Sequence, residues 1–383
     1  MERNTFSSEI FEDVRILSKN FRLPFPIETM DIGTFAQLRC RNRKTPLHYS
    51  VFEGKHQMTR VLLENGADIN AVDRFGSTPL HEACNSGKSL CAYIILDFKP
   101  DLNKQDSEFD TPLNKLVIWT FNFKRLLETF LDAGADPNIP DHFGFTPLHN
   151  VITYHVQSVA LEYAQILIRY KANMNVKTIY EKTPLHLAVE RNFHSVAEFL
   201  LENGASVNIE DQLGNTQMVS TLLLQNCGTK MAELLGMHVI KQYCCKIEVN
   251  QMHLELLIKR DGLREFKKEC EKELLALKSR KLGKSNVTYY EILVSTPNKI
   301  GRYLRSCDIS ESLKETDINN YIFGDWLNRK YKEGLARYNA LRIGHKFCRH
   351  IFHRLPHTKV ILGKLMALLL LGEHFTKIGH YLL

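Results

Sequence analysis

The densest run of side chains capable of chemistry is His345, Cys348, His350, His353 and His357. Imidazole and thiolate are the usual ligands of zinc, which gathers four of them in a tetrahedron. His350 and His353 can share one face of a helix, but a single cysteine stands nearby and Pro356 separates His357 from the rest. The pattern reads against a metal centre, and no cofactor is expected. Cys244-Cys245 beside Lys246 is either a reactive thiol pair or, as is commoner, sulfur buried in a core. No phosphate-cradling glycine loop and no kinase, protease or hydrolase motif is present. His48, His81, His149 and His186 recur within one repeated phrase and read as structural, so no catalytic residue is expected.

That phrase leads back to the elements that carry it. Thr45-Pro46-Leu47-His48 returns as Thr78-Pro79-Leu80-His81, Thr146-Pro147-Leu148-His149 and Thr183-Pro184-Leu185-His186. Thr111-Pro112-Leu113-Asn114 is an imperfect copy, and Thr216-Gln217 a last eroded one. The Thr hydroxyl can accept a bond from an orphan N–H at a helix start. Pro suits the first helical turn, where its missing N–H costs nothing. Leu faces a core, and an imidazole that donates and accepts at once can tie one turn to its neighbour. A second phrase marks the other end of the unit: Gly66-Ala67-Asp68-Ile69-Asn70, Gly134-Ala135-Asp136-Pro137-Asn138 and Gly204-Ala205-Ser206-Val207-Asn208. Gly there suits a left-handed helix end, and Asp and Asn suit the following turn. Apolar positions at helical spacing lie between, such as Val61, Leu62 and Leu63, or Ala197, Phe199, Leu200 and Leu201.

The phrase recurs in steps of 33, 33, 35, 37 and 33 residues. In period and phrasing the stretch from Lys44 to Asn215 resembles the ankyrin repeat family over somewhat less than half of the chain. The resemblance implies stacked helix–turn–helix units with turn fingers along one edge. The logic of repeats agrees: one unit cannot cover its own apolar face, so neighbours bury it for each other. Partners are then expected on the concave face and the fingers.

The fingers are the turns before each phrase: Asp73-Arg74-Phe75-Gly76, Ser107-Glu108-Phe109, Asp141-His142-Phe143-Gly144, Ile179-Tyr180-Glu181 and Asp211-Gln212-Leu213-Gly214. Aromatic residues are enriched at interfaces. Candidate contacts are therefore Arg74, Phe75, Glu108, Phe109, His142, Phe143, Tyr180 and Gln212. Phe75 and Phe143 have a competing role, packing on the adjacent finger. The third and fourth units exceed the period, and insertions in repeats fall in loops. In the fourth unit Thr153 to Ser158 is the expected insertion, which adds Tyr154 to the candidates. In the third, Trp119, Phe121 and Phe123 are either core or an exposed patch. Residues 1–43 read as a helical cap or a degenerate first unit, with helices over Glu9 to Lys19 and Met30 to Arg39 parted by Leu23-Pro24-Phe25-Pro26.

At 383 residues with 44% hydrophobic content, there is room for two or three domains. Residues 1–224 carry roughly −5 and residues 225–383 roughly +12. The basic half is either a set of solvated helix faces, as its interspersed acids favour, or a surface for an acidic partner. Nucleic acid is not the expected partner. Nine cysteines without C-x-x-C pairs are no disulfide framework and fit a reducing compartment. No apolar signal segment opens the chain, and Leu365 to Leu371 is far short of the roughly 20 residues a membrane helix needs. The expected location is the cytoplasm, with the nucleus open, and no membrane is involved.

Beyond Asn215 the period is lost. Met218 to Leu224 and Met231 to Ile240 read as a closing helical pair. Leu263, Phe266, Cys270, Leu274 and Leu277 form one apolar stripe on a later helix, and Thr288 with Glu291 makes a capping box. Further helices follow at about Trp326 to Asn339 and Gly344 to His353. The stretch Lys281-Leu282-Gly283-Lys284-Ser285-Asn286-Val287-Thr288-Tyr289-Tyr290-Glu291-Ile292-Leu293 resembles ankyrin proteins with a C-terminal PRANC region, known from poxviruses, intracellular bacteria and parasitoid wasps, and most of all the wasp form. That region is F-box-like. The resemblance implies docking on Skp/cullin ubiquitin ligase components through Leu355, Pro356, Ile361, Leu365, Leu368 and Leu369. Thr358 stands where the F-box pattern has an acidic residue, and the apolar positions depart from its register. An amphipathic helix sealing its own domain is the other reading.

The expectation is an all-α chain: a cap over 1–43, repeats over 44–245 and a helical PRANC-like domain over 246–383. It would be a non-catalytic scaffold recruiting substrates to a cullin-type ligase, or alternatively a sequestering inhibitor of a signalling or transcription factor.

Overall fold

A computed structural model describes residues 8–21, 30–119, 124–212, 216, 229–245, 247, 261–282, 285–295, 299–300, 303–304, 322–324, 326–336 and 338–339. They divide between two compact units, Met1–Ala232 and Glu233–Leu383. The described residues form helices and turns, with two isolated bridges, Glu210 to Thr216 and Lys281 to Thr288, in place of any sheet.

In the first unit, helices α1 (Ser8–Ser18) and α2 (Ile32–Ala36) precede five helix pairs. The pairs are α3 (Pro46–Phe52) with α4 (His56–Glu64), α5 (Pro79–Asn85) with α6 (Ser89–Asp97), α7 (Pro112–Trp119) with α8 (Lys124–Asp132), α9 (Pro147–Tyr154) with α10 (Gln157–Arg169), and α11 (Pro184–Glu190) with α12 (His194–Glu202). First helices stack on first helices and second on second, giving two layers. The phrase leucines Leu47, Leu80, Leu113, Leu148 and Leu185 are all fully buried. Met58, Leu62, Ile95, Phe130, Leu167 and Leu200 fill the second layer. Each such apolar side chain removed from water contributes about 1.5–3 kcal/mol. At the open end, α1 and α2 pack on α3 and α4, Phe21 meets Phe35 and Tyr49 edge-on, and Lys55 Nζ lies 3.0 Å from Asp13.

Unit length varies only between the phrase Thr and the end of the second helix. From the last residue of each second helix to the next Thr the interval is constant. Of the two extra residues of the third unit, one lengthens its first helix to 8 residues, against 7 in the second unit, and the other falls between Trp119 and Lys124. The four extra residues of the fourth do not form the loop expected at Thr153 to Ser158. They lengthen its second helix to 13 residues, against 9 in the others, and Tyr154 closes the helix before it. Four residues are close to one turn of 3.6. The buried stripe Ala160, Tyr163, Ala164 and Leu167 therefore keeps facing the core, whereas an insertion of two would have rotated it away.

The second unit holds all but the first turn of α13 (Thr229–Cys244), then α14 (Asp261–Ser279), α15 (Tyr289–Val294) and helical residues 326–336. The stripe expected on α14 is buried at Leu263, Cys270, Leu274 and Leu277, with Phe266 half-buried. The capping box forms: Glu291 N–H donates to Thr288 Oγ1 at 3.2 Å, and Thr288 N–H donates to Glu291 Oε2 at 2.8 Å. Glu273 accepts from the backbone N–H groups of Ile322 and Phe323 at 2.8 and 3.0 Å, pinning that segment to α14.

Candidate protein-binding face

The phrase histidines are scaffold, and their partners show why. Thr45 N–H donates to His48 Nδ1 at 3.1 Å, so Nδ1 carries no proton. His48 Nε2 lies 3.0 Å from the Ser77 carbonyl, an acceptor only, so Nε2 carries the proton. His81 and His149 repeat this, from Thr78 and Thr146 to the carbonyls of Asp110 (3.0 Å) and Lys182 (3.2 Å). Each neutral ring thus ties its helix start to the next finger. Burial pushes His48 and His149 down to about 4, and His81 down as well. His155, also buried, ties α9 to α7 through Nε2 and the Val117 carbonyl at 2.6 Å.

Those carbonyls close the fingers. Asp73 Oδ1 accepts from the N–H groups of Phe75 and Ser77, and Asp106 and Asp141 hold their own turns in the same way. One backbone bond then joins each finger to the one before: Arg74 N–H to Asn42 O, Ser107 to Phe75, His142 to Glu108, Ile179 to Phe143, and Gln212 to Tyr180. The donors of the ladder are consumed inside it, and the rings are left outside. Phe75, Phe109, Phe143 and Tyr180 stand about half-exposed, at 51%, 53%, 50% and 47%. Phe75 and Phe143 therefore do not bury themselves on the next finger; backbone, not ring, makes that contact. Arg74, Glu108, His142 and Gln212 are exposed, as is Tyr154 at the end of α9. The Arg74 guanidinium lies 4.4 Å over the Phe75 ring, and His142 stacks beside Phe109 and meets Phe143 edge-on.

Two features were missed in the sequence. The asparagines of the second phrase build another ladder, Asn70, Asn103, Asn138 and Asn175 each accepting through Oδ1 from a backbone N–H of the following unit at 2.7–2.9 Å. Their recurrence at the repeat spacing was the available clue. Lys115, on α7, gathers Asp110, Glu108 and Asp106 at 2.6, 3.1 and 3.2 Å. Desolvation works against that ammonium, yet the three carboxylates hold its pKa above the usual lysine value, while burial pushes Asp110 up. Beside it Lys44 meets Glu82 at 2.6 Å. The carboxylates around Lys115 come from the finger just before its own helix, whereas Lys44 and Glu82, 38 residues apart, are brought together by the stacking of units.

In the second unit Cys245 is buried and its thiol pushed up to about 12. Cys244 is shifted down because the Cys270 thiol donates to it. Among the described residues no group of three or more His, Cys, Asp or Glu could hold a metal ion, and no helix is long and apolar enough to cross a membrane. The cluster His345 to His357, the docking candidates Leu355, Pro356, Ile361, Leu365, Leu368 and Leu369, and the side chains of Trp119, Phe121 and Phe123 lie outside the described residues.

A two-layer stack of helix pairs with a laddered row of turns defines an α-helical solenoid, a protein-binding scaffold. Its units are ankyrin repeats: residues 25–106 and 116–211 match the family model for ankyrin repeats in three copies. The chain is similar to two ankyrin repeat proteins of fowlpox virus, 26% identical over 168 residues and 30% identical over 141. These alignments cover 41% and 36% of this chain but only 26% and 32% of the relatives' own length. It is also similar to the E3 ubiquitin-protein ligase KEG of Arabidopsis thaliana, 31% identical over 93 residues, which is 24% of this chain and 6% of that one.

Proposed function

We propose that the protein is a substrate-recruiting adaptor: the finger row captures a target protein, and the C-terminal helices carry it to Skp/cullin ubiquitin ligase components in the cytoplasm or nucleus. The observation that carries the capture half is the row of half-exposed rings held in register by the backbone ladder. Such rings lose little freedom on binding because their turns are already fixed, which favours affinity. The ligase half rests on the PRANC-like, wasp-type stretch Lys281 to Leu293 and on Leu355-Pro356. The likeness to a plant ubiquitin ligase supports it weakly, over less than a quarter of the chain.

A second reading, sequestration of a signalling or transcription factor without ligase recruitment, is favoured by Thr358 at the acidic position of the F-box pattern. Affinity capture with mass spectrometry separates the two. The full chain should retain a target together with cullin-ligase components, and deletion of residues 340–383 should remove the ligase components alone. Ligase components that survive the deletion contradict the adaptor reading as placed here. A target inhibited equally by residues 1–245 supports sequestration.

A further inference from the structure

We infer that the cleft between the fingers at Asp73 and Asp106 takes an arginine- or lysine-bearing segment of the captured protein; this rests on the array being a protein-binding face. A cavity of about 360 Å³ opens there, at the small end for a binding pocket and suited to one side chain with its flanking backbone. Asp73, Glu82, Asp106 and Glu108 line it, against the ammonium groups of Lys44 and Lys115. Both lysines are already paired, Lys44 with Glu82 and Lys115 with three carboxylates at once. Negative charge is left over.

Two observations stand apart from the charge count. Asp110, which backs onto Lys115, is 94% buried, and its Oδ1 has no hydrogen-bond partner among the described residues. A second cation drawing on Glu108 would free Lys115 to shift toward it. At the mouth of the cleft the Phe75 ring is half-exposed and already carries one guanidinium, that of Arg74, on its face. A cation over an aromatic face gains from the ring quadrupole as well as from the carboxylates. Acidic walls beside an aromatic mouth thus select a cationic side chain and repel an acidic segment or a nucleic-acid backbone.

The test is a panning of random displayed peptides against the full chain, its Glu108→Lys variant and its Phe75→Ala variant. The Glu108 side chain is 75% exposed, so the charge reversal leaves the fold intact. Glu108→Gln serves as a milder second variant. Peptides retained by the native chain should be enriched in Arg and Lys. Their synthetic copies should weaken with salt and bind Glu108→Lys about tenfold more weakly. Peptides lost on Phe75→Ala but neither basic nor sensitive to Glu108→Lys would overturn this inference and leave the finger face standing. If no peptide responds to either variant, the finger face falls with it.

Discussion

His48, His81 and His149 each have one nitrogen facing a donor and the other facing an acceptor, which leaves no place for a second proton. His48 and His149 sit at about 4, below the ordinary value of about 6.5, because burial disfavours the charged ring. The folded chain therefore binds fewer protons than the unfolded one between those values. The stabilisation is complete above pH 6.5 and is lost as pH falls toward 4, each ring giving up about 2 kcal/mol by pH 5. Denaturant midpoints measured from pH 7.5 to 5 should fall steeply, and less steeply in His149→Asn, which has one such ring fewer. Asn114 is the natural counterpart. Its Nδ2 reaches the Ile139 carbonyl only at 3.4 Å, and its buried Oδ1 has no hydrogen-bond partner among the described residues. Asn114→His should restore the tie and raise stability by about 1 kcal/mol, read as a higher midpoint at pH 7.5.

Elements inherit these local choices, and the finger is the clearest case. The position two before each phrase Thr has positive φ: Arg43 at 60°, Gly76 at 73°, Phe109 at 61°, Gly144 at 78° and Glu181 at 56°. A side chain can enter that region at a cost of about 1–2 kcal/mol, but the space around it differs between a finger and a helix end such as Gly134. A Cβ on Gly144 would lie 3.0 Å from Thr178 Cα, the backbone of the next finger, while one on Gly134 would meet nothing within 4 Å. Gly134→Ala should cost about 1 kcal/mol and Gly144→Ala about 3 kcal/mol, with faster amide exchange at Ile179 only in the latter. The Gly at 76 and 144 was visible in the sequence as turn chemistry, and so were the Thr helix caps and the exposure of Arg74, His142 and Gln212, whereas for Phe75 and Phe143 the sequence left packing on the adjacent finger open. The extra turn of α10 was not visible. Four added residues leave the helical phase nearly intact, so nothing in the apolar pattern marks them as an extension of α10, and the short break between α9 and α10 at His155 and Val156 drew the expected insertion to Thr153 to Ser158 instead. Lys115 was equally illegible, because its three carboxylates belong to a finger whose nearness depends on the turn closing back over α7.

At the scale of the molecule, the ankyrin period could be read because every unit repeats the same solution, and the second unit could be read only element by element, since no such redundancy supports it. The apolar stripe of α14 and the Thr288–Glu291 box were anticipated there, but the Glu273 cap on Ile322 and Phe323, 49 and 50 residues away, was not. Redundancy has a mechanical consequence for the array. Each unit is covered by its neighbours alone, so damage should spread along the stack and fade with distance. Leu148 is fully buried, on a first helix flanked by those of the third and fifth units. Leu148→Ala opens a cavity there and should cost about 3 kcal/mol. Hydrogen exchange should then rise most in α9 and α10, next in α7, α8, α11 and α12, and least in α1. Because those flanking units carry Phe109 and Tyr180, capture of a target that spans the finger row should weaken even though Leu148 touches no partner. Uniform loss of protection across α1 to α12 would mean that the array opens as one cooperative block, and loss confined to α9 and α10 that neighbouring units stand without each other.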